Sequence, residues 1–217
     1  MKKIITADNT ETFLNSMVGE SYHSQTGAVE EALKKYAIPC KIAEKAMSGK
    51  LRILDMYFGM GYNSAMAIDV ALKANPNCVI EVIGVENDPE IIAKIQEVNP
   101  PIAFFQNYKK LSSINLQFTQ NNVTVKILLG DSAKMLQKLD EEFDAIFYDP
   151  FSPKTMPELW TKPLFEEMWR LMNQDAILAT YSCARVVRDN MSSAGLMYED
   201  GPIVGRRGPG TIATKWI

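Results

Sequence analysis

The chain has 217 residues, a length that suits one domain and is short for two. Its composition, with 47% hydrophobic and 23% charged residues, excludes collagen-like, low-complexity and wholly disordered chains. The three scattered cysteines and the polar N-terminus predict a cytoplasmic protein, and since no apolar run reaches roughly 20 residues, no membrane partner is expected. The formal charge of -3 gives no overall positive field, and the single histidine predicts no metal site.

Residues 1–50 are predicted to form an N-terminal extension that packs on a core domain of residues 51–217. Apolar residues recur at helical spacing over residues 27–46, and the pattern is interrupted near Pro39 because proline cannot continue a helix. This part of the chain is therefore expected to be a helical appendage.

From residue 51 onward, short apolar segments rich in β-branched residues alternate with amphipathic segments, which is typical of βαβ units around a parallel sheet. The predicted strands are residues 51–57, 79–86, 123–129, 143–149 and 176–182. The predicted helices are residues 64–73, 89–98, 132–139, 163–172 and 184–194.

The end of the chain breaks this alternation. Residues 196–200 and 211–217 have strand-like patterns and are joined by a Gly- and Pro-rich loop, which predicts an antiparallel hairpin. An α/β fold with a mostly parallel, Rossmann-like sheet that ends in such a hairpin resembles the class I methyltransferases, which use S-adenosylmethionine.

A glycine-containing turn follows the first core strand. Asp55 lies near the end of that strand, and Gly59, Gly61 and Asn63 lie in the turn that leads into the next helix. Glycines let backbone amides approach a ligand closely, and in class I methyltransferases the equivalent turn holds the amino acid end of the cofactor. Asp55 is placed to bind that end or only to orient the loop, and a plain turn with no ligand is the alternative for the whole motif.

Two further carboxylates follow the next strands. Glu86 ends its strand, where an acid is placed to accept hydrogen bonds from the hydroxyls of a ribose. Asp131 is placed either to accept a hydrogen bond from an adenine amine or only to cap the next helix. Because the carboxyl ends of parallel strands meet at one edge of a sheet, these residues predict a cofactor crevice there.

The fourth core strand leads into Asp149 and a proline-rich segment, residues 149–160, with the sequence DPFSPKTMPELW. Its three prolines stiffen the backbone. An acid beside Phe151 and Trp160 is suited to clamp a planar base and orient an amine. The alternative is a connector whose aromatic residues pack beneath it.

This segment resembles DGFAPAKNPEMW in the methyltransferase domain of MnmC, a bacterial family of tRNA wobble-uridine modification enzymes. The likeness continues from about residue 20 to the end of the chain: residues 178–182 are similar to LATYT of that family, residues 205–214 to its closing GRKREMLTA, and residues 21–31 to its DxYFS...G...E segment. Residues 57–63 stand where that family has GFGTGLN, with Tyr57 in place of the first glycine.

The resemblance implies a reaction and a set of site residues. The expected reaction is methylation of the amine of 5-aminomethyl-(2-thio)uridine in the anticodon stem-loop of tRNA, with S-adenosylmethionine as the methyl donor and Asp149 as the group that orients the amine and accepts its proton. The residues expected to bind the cofactor are Glu30, Asp55, Gly59, Gly61, Asn63, Glu86, Asp131 and Asp149. Those expected to bind the substrate are Tyr22, Phe151, Trp160, Tyr181, Arg206 and Arg207, with Arg185, Arg188, Lys109 and Lys110 as further phosphate ligands.

The MnmC enzymes also contain a flavin-dependent oxidase domain, for which these residues leave no room. No FAD is therefore expected, and a separate enzyme is expected to supply the primary amine. Other functions stay open: an adenine amino-methyltransferase, because residues 149–152 partly match an acid-Pro-Pro-aromatic motif, an aminopropyltransferase of the spermidine synthase type, or an inactive scaffold that binds the cofactor and docks to RNA or protein.

Overall fold

The computed structural model describes residues 1–205 and 207–216. The strands are β1 (Lys2–Ile5), β2 (Glu11–Asn15), β3 (Glu20–Ser21), β4 (Lys50–Met56), β5 (Val79–Glu86), β6 (Gln117–Gln120), β7 (Val123–Leu129), β8 (Phe143–Tyr148), β9 (Met172–Thr180), β10 (Leu196–Asp200) and β11 (Thr211–Lys215). The α-helices are α1 (Ala28–Glu31), α2 (Ile42–Ala46), α3 (Tyr62–Ala74), α4 (Pro89–Lys94), α5 (Phe105–Tyr108), α6 (Ser132–Leu136), α7 (Lys162–Leu171) and α8 (Arg185–Ser193). A π-helix (Ala32–Ala37) continues α1, and 3₁₀ turns cover Ile95–Glu97 and Pro157–Trp160.

The large sheet has the strand order β10-β11-β9-β8-β4-β5-β7-β6. Its central strands, β9, β8, β4, β5 and β7, run parallel, whereas β6 at one end and β11 and β10 at the other pair antiparallel. The predicted mostly parallel sheet and its closing hairpin are confirmed. Because β8, β4, β5 and β7 are neighbours, the residues that follow them meet at one edge of the sheet.

The N-terminal extension contains a small antiparallel sheet, β1-β2-β3, that the sequence pattern does not predict. These strands have two to five residues, and only Thr12 and Phe13 within them are buried. Such strands lack the run of alternating apolar residues by which a strand is recognised. The strand β6 and the helix α5 have four residues each, which is too short for a periodic apolar pattern to predict them.

The predicted helical appendage is present and breaks where expected. The π-helix ends just before Ile38, and α2 begins after Lys41, whose φ of 54° is left-handed. Pro39 lies between the two, and its missing N–H and fixed φ prevent a continuous helix.

Apolar clusters cover both faces of the large sheet. On β4, Leu51 and Ile53 belong to one cluster, and Leu54 and Met56 belong to the other, as the two-residue period of a strand requires. Tyr36 of the extension lies in the first cluster, so the extension and the sheet share one apolar interior. Within the described residues, no helix has both the length and the hydropathy needed to cross a bilayer.

Candidate active site

A cavity of about 970 Å³ opens at the edge where the parallel strands end. Residues that follow these strands line it on one side, and residues 14–25 of the extension line it on the other. The predicted site residues that line it are Tyr22, Glu86, Asp149, Phe151 and Tyr181. The cavity therefore lies between the sheet and the N-terminal extension.

The turn between β4 and α3 passes through left-handed backbone at Tyr57, Gly59 and Gly61, with φ values of 62°, 57° and 76°. Glycine adopts this conformation without strain, whereas a residue with a Cβ is disfavoured by about 1–2 kcal/mol. This explains the glycine at the position of Tyr57 in the resembling family. Here the tyrosine is supported by its hydroxyl, 3.2 Å from Ser132 Oγ, and by edge-on packing against Tyr148.

Glu86 joins the glycine turn to the end of β5. Its Oε2 accepts a hydrogen bond from the Gly59 N–H at 2.8 Å, and its Oε1 accepts from the N–H groups of Asn87 and Asp88 at 2.8 and 2.9 Å. Burial raises the pKa of Glu86, although these three hydrogen bonds oppose the rise. A carboxylate has about four acceptor positions, so Oε2 retains capacity for one further donor, such as a ribose hydroxyl.

Asp149 lines the cavity directly after β8 and is held from α3. Asn63 Nδ2 donates a hydrogen bond to Asp149 Oδ2 at 2.9 Å. Burial, followed by the negative charge of Glu31, raises the pKa of Asp149 to about 7, while the Tyr36 hydroxyl, Asn63 and the charge of Lys35 oppose the rise. The carboxyl group can therefore gain and lose a proton near neutral pH, as a general base must.

A buried ion pair that the sequence analysis missed lies close to Asp149. Glu31 Oε1 and Lys35 Nζ are 2.5 Å apart, less than a tenth of either side chain is exposed, and both residues line the cavity. The predicted cofactor ligand Glu30 lies instead on the outer side of this helix, where it pairs with Lys34. Glu31 lines the cavity and Glu30 does not, because successive residues of a helix do not face the same way, so contact of Glu30 with the cofactor stays a prediction.

Asp55 is enclosed beneath the glycine turn. Its Oδ2 accepts a hydrogen bond from the Ser64 N–H at 3.2 Å, and burial raises its pKa to about 8. Within the described residues, Asp55 Oδ1 and Asn63 Oδ1 are buried and accept no hydrogen bond. Buried acceptors without donors are unusual, and the ammonium group of the cofactor's amino acid end would supply the missing donors. Neither residue is among those that line the cavity, so their contacts with the cofactor stay predictions.

Trp160 does not face the cavity, which corrects its predicted role as a stacking surface. The side chain is 1% exposed, packs edge-on against Tyr148 and Tyr181, and donates from Nε1 to the Phe151 carbonyl oxygen at 2.8 Å. A base cannot stack on a ring that is already covered. Trp160 supports the segment of residues 149–160 from below, as in the alternative that the sequence left open.

Asp131 is exposed and caps α6. Its Oδ1 accepts a hydrogen bond from the Lys134 N–H at 3.1 Å. The predicted capping role is confirmed. Asp131 is not among the residues that line the cavity, so contact with an adenine stays a prediction.

An aromatic surface remains beside Asp149. Phe151 and Tyr22 meet edge to face, with ring centroids 5.1 Å apart. The Tyr22 hydroxyl donates to Asp88 Oδ2 at 2.7 Å, and the Tyr181 hydroxyl donates to the Pro150 carbonyl oxygen at 3.0 Å. Their predicted contacts with substrate are compatible with these positions and stay predictions.

Some of the cations predicted to meet phosphates are engaged within the protein. Arg188 pairs with Asp200 at 2.6 Å, and Lys109 Nζ donates to three backbone carbonyls. Arg207 is exposed, and Arg206 lies outside the described residues. Of the predicted phosphate ligands, Arg207 is thus better placed than Arg188 or Lys109.

His23 is buried in the extension. Its ring stacks on Tyr62 with centroids 4.6 Å apart, and burial lowers its pKa to about 4, so it is neutral at physiological pH. Over residues 1–205 and 207–216, no group of three or more His, Cys, Asp and Glu side chains is arranged to hold a metal ion.

The fold and the site define a class of enzyme. The parallel sheet with its closing hairpin, the left-handed glycine turn, the acid at the end of the neighbouring strand and the unpaired acceptors all fit S-adenosylmethionine. Residues 97–216 match a family described as S-adenosyl-L-methionine-dependent methyltransferase. The protein is therefore a methyltransferase of this class.

The chain is also similar to proteins with more specific names. It shares 30% identity with the crystal structure of MnmC2 from Aquifex aeolicus, with a TM-score of 0.86 over 98% of this chain and 70% of that one. The tRNA 5-methylaminomethyl-2-thiouridine biosynthesis bifunctional protein MnmC of Pseudomonas syringae is 28% identical over 183 residues, which are 77% of this chain and 27% of the relative. The chain belongs to the MnmC methyltransferase family.

A third relative shows how much of these proteins the chain covers. An uncharacterized protein of Methanocaldococcus jannaschii is 30% identical over 216 residues, which are 97% of this chain and 58% of that protein. The chain thus spans about a quarter of the length of the Pseudomonas MnmC and somewhat over half of the length of the Methanocaldococcus protein. In MnmC the shared part is the methyltransferase part.

Proposed function

We propose that this protein transfers a methyl group from S-adenosylmethionine to the amine of 5-aminomethyl-(2-thio)uridine at the wobble position of tRNA, giving 5-methylaminomethyl-(2-thio)uridine. The observation that carries the proposal is the position of Asp149, a carboxyl group whose pKa is raised by burial and which lines the same cavity as Glu86. Asp149 belongs to the segment of residues 149–160 by which the sequence resembles MnmC, and the relative from Pseudomonas syringae is named for the biosynthesis of tRNA 5-methylaminomethyl-2-thiouridine.

The chemistry divides between two parts of the cavity, the cofactor wall around Glu86 and the acceptor wall around Asp149. When bound, S-adenosylmethionine supplies a methyl group carried on a sulfonium centre. Glu86 and the backbone of Gly59 hold the ribose side, and the free oxygens of Asp55 and Asn63 receive the ammonium of the amino acid end. These residues bind and orient, and none of them has to gain or lose a proton during the transfer.

Asp149 acts on the acceptor. A primary amine is an ammonium ion at neutral pH and has to lose a proton before its lone pair can attack a methyl group. Asp149, whose pKa is raised by burial, accepts that proton in its ionised form and keeps the amine oriented, while Asn63 fixes the position of the carboxylate. Holding the amine in line removes much of the entropic cost of bringing the two reactants together.

The base and the backbone of the RNA are held outside this centre. Phe151 and Tyr22 offer ring faces and edges beside Asp149, and unpaired anticodon bases are commonly recognised by stacking on aromatic side chains. Phosphates are assigned to Arg207, with Arg206 next to it in the sequence. A separate enzyme has to supply the primary amine, and cytoplasmic tRNA is the substrate pool.

The test is a reaction with defined tRNA. The protein is incubated with S-adenosylmethionine and tRNA that either bears or lacks the 5-aminomethyl group, and the nucleosides are analysed by mass spectrometry. A gain of one methyl group, found only on the amine-bearing uridine, is expected.

Other products identify other functions. No methylation of the amine-bearing tRNA, under conditions where the cofactor binds, contradicts the proposal. A methylated adenine amine would identify an adenine amino-methyltransferase, and preference for decarboxylated S-adenosylmethionine would identify an aminopropyltransferase.

A further inference from the structure

Strand β3 of the N-terminal extension is bonded to the segment that follows Asp149. Glu20 Oε2 accepts a hydrogen bond from the Ser152 N–H at 2.9 Å, and Glu20 Oε1 accepts from Ser152 Oγ at 2.5 Å and from the Thr155 hydroxyl. Glu20 and Ser152 are 132 residues apart in the sequence. One carboxylate therefore joins two regions of the chain at the wall of the cavity.

Glu20 is itself held by the extension. It pairs with Asn15 across the β2-β3 ladder, and the Tyr22 N–H donates to the Phe13 carbonyl oxygen at 3.0 Å. On the other side, the Tyr22 hydroxyl donates to Asp88 at 2.7 Å, close to Glu86. The same short strand is thus anchored beside the cofactor residues and bonded to the acceptor segment.

The hydrogen bonds to Glu20 are strong because its side chain is ionised. Burial opposes ionisation of Glu20, yet the hydrogen bonds from Ser152 and Thr155 hold its pKa below the ordinary value, so the side chain is a carboxylate. Hydrogen bonds to an ionised acceptor are about twice as strong as neutral ones. Three donors on one carboxylate fix the backbone of Ser152, which follows Phe151 directly and Asp149 by three residues.

We propose that Glu20 is a positioning residue of the methyl transfer: by holding Ser152 and Thr155, it keeps Asp149 and Phe151 in the arrangement that receives the amine. This inference rests on the proposed function. Glu20 acts through the segment of residues 149–160 and not on the reacting atoms. Its loss should therefore impair methylation of the acceptor and leave cofactor binding unchanged.

The experiment compares Glu20→Ala and Glu20→Gln with Glu158→Ala, which removes an exposed acid from the same region. Amide hydrogen exchange over residues 151–156, the dissociation constant of S-adenosylmethionine, and kcat and KM for the amine-bearing tRNA are measured on the full chain. Glu20→Ala is expected to accelerate exchange and to lower kcat/KM by about tenfold or more, since small displacements of reacting groups are costly. Its cofactor affinity should stay within about twofold, Glu20→Gln should be intermediate, and Glu158→Ala should behave as wild type.

A double-mutant cycle tests whether the effect passes through the observed bonds. Ser152→Ala with Thr155→Val removes the two hydroxyl donors, and adding Glu20→Ala to this variant should lower kcat/KM by much less than it does alone. Fully additive losses, or unchanged exchange in Glu20→Ala, would overturn the inference. So would accelerated exchange with unchanged kinetics, which would leave Glu20 a purely structural contact.

Failure of the proposed function is recognised separately. In that case the wild-type protein itself leaves the amine-bearing tRNA unmethylated, whatever the variants do. The exchange and cofactor measurements need no acceptor, so they still show whether Glu20 holds the segment.

Discussion

The two walls of the cavity are held together in different ways. On the cofactor wall, Glu86 takes three backbone N–H groups from its own strand end and from the adjacent glycine turn. On the acceptor wall, Asn63 of α3 and Tyr36 of the N-terminal extension interact with the Asp149 carboxyl group, and the residues after Asp149 are hydrogen-bonded to Glu20, which is distant in the sequence. The first arrangement is local to the sheet, and the second depends on distant parts of the chain meeting.

This difference matches two chemical tasks. A carboxylate with several fixed donors is suited to bind a ligand that donates hydrogen bonds. A carboxyl group with few donors, in a partly buried site beside another negative charge, is suited to exchange a proton, and its pKa of about 7 reflects this. The comparison predicts that changes on one wall affect binding of the cofactor, and changes on the other affect turnover.

The largest effect is expected from Asp149→Asn, which keeps the shape of the side chain and removes the base. Turnover of the amine-bearing tRNA should fall by about 10³-fold, within the range known for general bases, because the ammonium loses its proton acceptor. The dissociation constant of S-adenosylmethionine should change by less than about twofold if the two walls are independent. Single-turnover kinetics and calorimetric titration measure the two quantities.

Asp140→Asn serves as the control for Asp149→Asn, since Asp140 is exposed and lies before β8, the strand that Asp149 follows. It should leave both quantities unchanged. Survival of turnover in Asp149→Asn would show that another group takes the proton.

Glu86→Gln should weaken cofactor binding and leave turnover nearly unchanged, which is the opposite of the effect expected for Asp149→Asn. The amide keeps one acceptor oxygen but loses the negative charge that strengthens the hydrogen bonds from the Gly59 N–H and from the ribose hydroxyls. Hydrogen bonds to charged groups contribute about 1.5–3 kcal/mol. Cofactor affinity is therefore expected to fall by about 10- to 100-fold, while kcat at saturating cofactor stays near the wild-type value. A fall in kcat with unchanged affinity would show that the walls cannot be separated in this way.

The pH dependence of turnover should move in opposite directions in two variants. Because the ionised form of Asp149 is the base, the rate should rise with pH through about 7. Glu31→Gln removes a charge that raises the pKa of Asp149, so the rise should shift to lower pH. Asn63→Ala removes a hydrogen bond that lowers it, so the rise should shift to higher pH. Profiles of kcat against pH measure both, and shifts in the same direction would point to general disruption of the site.

The cofactor wall was largely predictable from the sequence, and the acceptor wall only in part. The predicted strand of residues 79–86 coincides with β5, because this segment is rich in β-branched apolar residues, and Glu86 follows from its place at the end of that strand. Asp149 was recognised through its neighbours in the segment of residues 149–160. Two residues escaped prediction: Glu20, which is hydrogen-bonded to Ser152 at a separation of 132 residues, and Glu31, whose charge acts on the distant Asp149.

The direction in which a side chain points was the other feature that the sequence could not predict. A sequence shows that Trp160 and Phe151 share a segment, yet it does not show which ring faces the cavity and which packs beneath it. The same holds for Glu30 and Glu31, where one helical step separates a surface ion pair from a buried one. In both cases the residue type was right for the site, and the side of the backbone decided its role.

The smallest expected effect concerns Asp131, where stability and cofactor binding can be separated. Asp131→Ala removes the cap of α6 and should lower the free energy of unfolding by about 1 kcal/mol, whereas Asp131→Ser retains a capping oxygen and should cost little. Serine is too short to replace the carboxylate in a contact with an adenine amine, so both variants should bind S-adenosylmethionine several-fold more weakly if Asp131 belongs to the cofactor wall. Chemical denaturation and cofactor titration of the two variants decide the matter: wild-type affinity in Asp131→Ser would restrict Asp131 to the cap, and the cofactor wall would then end at Glu86.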